Sequence, residues 1–99
     1  SRLYDILSLE NDGSNFQMWK YRINMILDVR GLWELVDGTQ TTAPDVSVDP
    51  NGHADWLARD KEAHAQITLT LKDEPLSGVL YASTAAEVWK KLCGHYEGR

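Results

Sequence analysis

Cysteine is nearly absent from these 99 residues. The one present, Cys93, excludes an internal disulfide framework and a four-cysteine zinc site. Long apolar runs are missing as well. No stretch approaches the roughly 20 apolar residues of a membrane span, and no basic-then-apolar opening segment reads as a secretion signal. A reducing, cytoplasmic setting and no membrane contact are therefore expected. Basic side chains are few, 10 against 15 acidic. Nucleic-acid binders usually carry a basic footprint, because phosphate neutralisation dominates their affinity. Direct binding of nucleic acid is not expected from this balance, nor is a helix-turn-helix reader, whose recognition helix wants basic residues at its start.

Catalytic devices are equally scarce. The seven glycines are scattered at turns and predicted helix ends and build no phosphate loop. There is no Gly-x-Ser-x-Gly elbow, and no Asp-Thr-Gly or Asp-Ser-Gly of an aspartic protease. Cys93 and His95 stand two apart in a predicted helix and point to different sides; with His53 and His64 they lack the convergence that a metal requires. The reading is no enzyme, no metal and no cofactor.

What is present is an apolar, aromatic-rich chain: 42% apolar residues with four Trp, four Tyr and one Phe, too hydrophobic for disorder. A chain of this mass buries about two-thirds of its open surface, enough for one core in one domain over 1–99. No segment alternates cleanly over strand length, so the fold class is all-α, a compact bundle of four to five helices. Residues 1–13 read as an apolar N-terminal arm in which Leu3, Tyr4, Ile6, Leu7 and Leu9 lie on the domain. A first helix is predicted over 14–30, opened by a Ser14/Gln17 capping box and closed by Gly31. Shorter or longer helices follow at 32–37, 55–72, 75–81 and 84–96. Asp55 favours the start of the third, and Asp73-Glu74-Pro75 breaks it. Thr84 and Glu87 make a second capping box, and 39–52 reads as one long loop.

Helical projection sorts the faces. The last helix is plainly amphipathic, with Ala85, Val88, Trp89, Leu92, Cys93 and Tyr96 on one side. In the third, Trp56, Ala63, Ile67 and Leu71 form the apolar stripe and Asp60 projects into it, with His64 one turn on. Asp60 and His64 form either an acid–base pair or a structural group accepting from an indole, a backbone amide or His64. No nucleophile, metal cluster or oxyanion device accompanies them, which favours the structural role. The first helix is unusual. Its polar stripe (Gln17, Lys20, Asn24, Asp28) spans only about 80°. Phe16, Trp19, Ile23, Ile26 and Leu27 supply a core face; Met18, Met25 and Val29, interrupted by Arg22, supply a second apolar side. Either the arm or a neighbouring helix covers that side, or it is an exposed patch for association.

Four pieces in order resemble the Gag polyprotein of copia-type LTR retrotransposons, in the N-terminal lobe of its capsid region. They are Asn15-Phe16 with Trp19; Gly31-Leu32-Trp33 with Val36 and Gly38; Trp56, Asp60, Ala63 and Ile67; and Thr84-Ala85-Ala86-Glu87 with Trp89, Leu92 and Tyr96. With Ile23, the residues Phe16, Trp19, Trp33, Trp56, Asp60, Ala63, Ile67, Trp89, Leu92 and Tyr96 are the expected fold-specifying core. The resemblance implies structural work in a virus-like particle, with the chain itself and other Gag regions as partners. These residues hold neither a second capsid lobe nor a zinc knuckle, so a fragment or an isolated lobe is expected. Met18, Arg22, Met25 and Val29 are the candidate self-association surface. The competing expectation is a monomeric module that takes a linear peptide or helix in a groove beside the first helix, roofed by residues 3–9. An arm exchanged between copies would join the two readings.

Overall fold

Four α-helices and a short 3-10 turn carry the chain in a computed structural model that describes residues 5–97: α1 (Phe16–Val29), the turn Trp33–Leu35, α2 (Pro50–Thr68), α3 (Asp73–Ser77) and α4 (Ala85–Glu97). The fold is all-α. Among the described residues the one extended pairing is a parallel bridge between Leu9 and Leu71.

The entry to α1 departs from the expected capping box. Asn15 stands at the N-cap without capping the helix. Its Oδ1 accepts from the Glu10 amide at 2.9 Å and its Nδ2 donates to the Ser8 carbonyl at 3.0 Å, so the side chain pins the arm instead. The Ser14 amide turns back to Asp12 Oδ1, and Gln17 reaches across to Glu97 on α4. At the other end the helix closes in a Schellman motif. The Gly31 amide donates to Asp28 O and the Leu32 amide to Leu27 O, with Gly31 at φ 72. Leu27 and Leu32 are both buried in the core. Segment 32–37 then yields only the 3-10 turn Trp33–Leu35.

Helix α2 begins at Pro50, five residues before the expected start at 55. Proline at the first helical position lacks only an amide that would have no helical partner, and its fixed φ suits the helix. Asp49 caps it, Oδ1 accepting from the Gly52 amide at 3.0 Å. Asp55 therefore lies inside the helix, and the loop shortens to 39–49. The helix also ends earlier than 72, at Thr68. Thr68 Oγ1 donates to His64 O and Thr70 Oγ1 to Ile67 O, side-chain bonds to the backbone at the helix end. The freed chain runs on extended. The Leu9 amide donates to Thr70 O at 2.8 Å and the Lys72 amide to Leu9 O at 3.1 Å. Leu71 thus enters the core from the bridge, outside any helical stripe.

Asp73-Glu74-Pro75 opens α3 instead of breaking a helix, and the short helix lies at Asp73–Ser77, ahead of the expected 75–81. Its Glu74 amide is taken by Asn11 Oδ1 at 3.0 Å. The second capping box forms by half. Thr84 Oγ1 accepts from the Glu87 amide, whereas the Glu87 carboxylate goes one residue further back, to the Ser83 amide and hydroxyl.

The core lies where α1, α2 and α4 meet. Phe16, Trp19, Ile23, Trp56, Ala63, Ile67, Trp89 and Leu92 are buried in it, while Trp33 and Tyr96 pack half-buried on its margin. A run of rings, Tyr96–Phe16–Trp19–Trp89–Trp33, spans α4, α1 and the 3-10 turn at centroid spacings of 5.1, 5.8, 5.8 and 5.5 Å. Buried indoles need an acceptor for the N–H. Trp19 finds Thr70 Oγ1 at 2.9 Å, and Trp56 finds the Gln40 carbonyl at 2.7 Å.

Candidate functional site

Helix α1 buries its Phe16, Trp19, Ile23, Ile26 and Leu27 face, carries its part-exposed polar stripe on one flank, and turns a second apolar stripe outward. Lys20 Nζ bonds Glu97 at 2.6 Å and Gln17 bonds the same carboxylate, so two members of the polar stripe tie α1 to α4. Lys20 is held above its ordinary pKa by that bond, and Glu97 below its own. Arg30 pairs with Glu62 of α2, and Arg59 Nη2 donates to the Gly31 carbonyl at 2.6 Å. These ties fix the helix's rotation. Met18, Met25 and Val29 are left 61%, 48% and 70% exposed, with Arg22 half-buried among them. Described residues 5–9 do not cover this face; Leu3 and Tyr4 lie outside the described residues. Tyr21, 67% exposed, completes the stripe. The sequence reading missed it, although its position three residues after Met18 and four before Met25 was the available signal.

Asp60 sits only 7% exposed on α2, and its Oδ1 accepts from the Ala85 amide at 3.1 Å. Ala85 is the first residue of α4, so a carboxylate from one helix fills a free donor at the positive end of another. Burial pushes the Asp60 carboxyl above its ordinary pKa, against the smaller downward pulls of the Ala85 amide and His64. Acceptance from a backbone amide is one of the structural arrangements that the sequence leaves open to Asp60. Asp60 also lines a groove with Leu57, Lys61, His64, Leu69 and Ser83. Leu57 and Leu69 on its walls are 50% and 70% exposed.

The remaining reactive side chains are dispersed. Burial raises the pKa of the Cys93 thiol, which disfavours the thiolate. His95 sits edge-on to the Tyr96 ring, and His53 Nδ1 lies 2.8 Å from the Pro44 carbonyl. Among the described residues no three His, Cys, Asp or Glu side chains converge for a metal. No helix of the described residues is long and apolar enough to cross a membrane. A second cleft lies between α3 and α4, lined by Pro75, Val79, Lys91, Leu92, His95 and Tyr96 among others. Neither cleft is lined by α1 or by residues 5–9, where the roofed groove was expected. Leu9, one of its expected roof residues, is fully buried in the core.

A family model described as gag-polypeptide of LTR copia-type matches residues 23–99. The piece at 15–19 precedes that stretch; the other three pieces fall within it. No curated protein and no solved structure matches this chain.

Proposed function

Because the chain belongs to the copia-type LTR Gag family and so has a Gag-type structural role, we propose that it is a capsid lobe that associates with further copies of itself in a cytoplasmic virus-like particle. Other Gag regions are its further partners, and the lobe works without catalysis or direct nucleic-acid contact. The observation that carries this reading is the outward apolar stripe Met18–Tyr21–Met25–Val29. A monomer's surface helix places polar residues outward. Here two polar side chains, Gln17 and Lys20, tie the helix to α4, and large apolar ones face solvent.

Light scattering across a concentration series tests the proposal. Mass should rise with concentration in the native chain. Met25→Asp with Val29→Asp should abolish the rise and leave the thermal midpoint nearly unchanged, since surface substitutions typically cost within about 0.5 kcal/mol. Association that persists in the double variant would remove this face from the proposal. The monomeric peptide-binding reading has no comparable support, because its expected roof residue Leu9 is committed to the core.

A further inference from the structure

The outer face of α1 and the groove beside α2 complement each other in charge and in shape of polarity. On α1, apolar side chains surround one cation, Arg22, which makes no hydrogen bond or ion pair with a described residue. In the groove the arrangement is inverted: Leu57 and Leu69 flank one buried carboxylate. Asp60 spends Oδ1 on the Ala85 amide, and Oδ2 takes no hydrogen bond from a described residue. No buried side-chain polar atom among the described residues lacks a partner, so Oδ2 opens into the groove, where an incoming guanidinium can pair with it. Lys61 also lines the groove, but it is exposed and free to turn its amine to water. No α1 residue lines the groove, so the match cannot be made within one copy.

On the reading that copies associate, we infer that α1 of one copy docks in the α2 groove of a second copy, placing Arg22 at the Asp60 carboxylate between Leu57 and Leu69. The contact joins two different patches and is therefore heterologous. Every copy keeps one free α1 face and one free groove, and assembly continues until the rotation closes a ring or runs on as an open chain. A face-to-face pairing of two α1 stripes would instead bring Arg22 near Arg22 and stop at a dimer.

Complementation by two blocked variants tests this. One variant carries Arg22→Glu and Met25→Asp on α1; the other carries Leu57→Asp and Leu69→Asp in the groove. All four positions are at least partly exposed, and circular dichroism melts verify folding. Arg22→Gln and Leu57→Gln repeat the assay without new charge. In sedimentation velocity each blocked variant alone should stay monomeric where the native chain associates, a weakening of at least about tenfold, or about 1.4 kcal/mol. Their equimolar mixture, which retains one intact face of each kind, should form heterodimers and nothing larger. Groove variants that associate like the native chain would overturn the docking site, as would a mixture that stays monomeric. A native chain that is monomeric at every concentration would overturn the self-association reading itself, and the docking with it.

Discussion

Two glycines with the same backbone angle separate two costs. Gly13 and Gly31 both lie at φ 72, where an L side chain is strained. A Cβ on Gly31 would meet nothing within 4 Å, whereas one on Gly13 would lie 2.3 Å from Tyr96 Cε1. Gly31→Ala should therefore cost only the backbone term, about 1–2 kcal/mol. Gly13→Ala should cost about 1–3 kcal/mol more, because the half-buried Tyr96 ring stacked on Phe16 must move. Urea unfolding of both variants checks this; equal losses would mean that the ring yields freely. Asp60 offers a second comparison. Asp60→Ala orphans the Ala85 amide and should cost about 1–3 kcal/mol, while Asp60→Asn keeps an acceptor. Its folded pKa lies above the unfolded one, so the folded state binds the extra proton and the charge burdens stability at neutral pH. That burden lifts as pH falls through the folded pKa toward the ordinary value of 3.8. The Asn variant's stability relative to the native chain should be most favourable near pH 7 and decline toward pH 4. A difference that is flat with pH would mean that burial does not shift this group.

At the scale of elements, the start of α2 is decided by chemistry that reads at first as loop. Asp49-Pro50-Asn51-Gly52 has turn composition, yet Asp49 is a good cap, Pro50 a good first residue, and Gly52 leaves room for the carboxylate. A Cβ on Gly52 would fall 2.2 Å from Asp49 Oδ2. Asp49→Ala should lose about 1 kcal/mol and some helical ellipticity, whereas Asp55→Ala, exposed beyond the first turn, should change stability by less than about 0.5 kcal/mol. The reverse order would place the helix start at 55. The same logic marks what the sequence could reveal. Helical periodicity identifies Phe16, Trp19, Ile23, Ala63, Ile67 and Leu92 because their neighbours are local. Asn15 holding Ser8 and Glu10, and Asn11 capping α3, serve distant backbone, so local capping rules assign them wrongly or not at all. Thr70 under the Trp19 indole is a long-range pairing of the same kind. The outward face of α1 was visible as a wide apolar arc. That nothing in 5–97 covers it required the tertiary ties of Lys20, Gln17 and Arg59.

For the whole molecule, net charge and local contact pull in opposite directions. Each copy carries a formal charge of −5, so approaching copies repel at long range. The proposed contact offers large apolar side chains and one cation meeting one buried carboxylate, both short-range and shielded from solvent. Salt separates the two terms. Between about 0.01 M and 0.1 M the Debye length falls from about 30 Å to about 10 Å, which weakens repulsion between whole copies. A desolvated pair is screened much less, and apolar burial persists. Association should thus strengthen over this range of added neutral salt, read as a falling dissociation constant in light scattering. An interface held by exposed ion pairs would behave the opposite way, since screening weakens such pairs while doing little for their apolar surroundings. Association that weakens steadily with salt would therefore argue against the apolar stripe of α1 as its source. It would direct attention to the exposed lysines and carboxylates of α2 and α4.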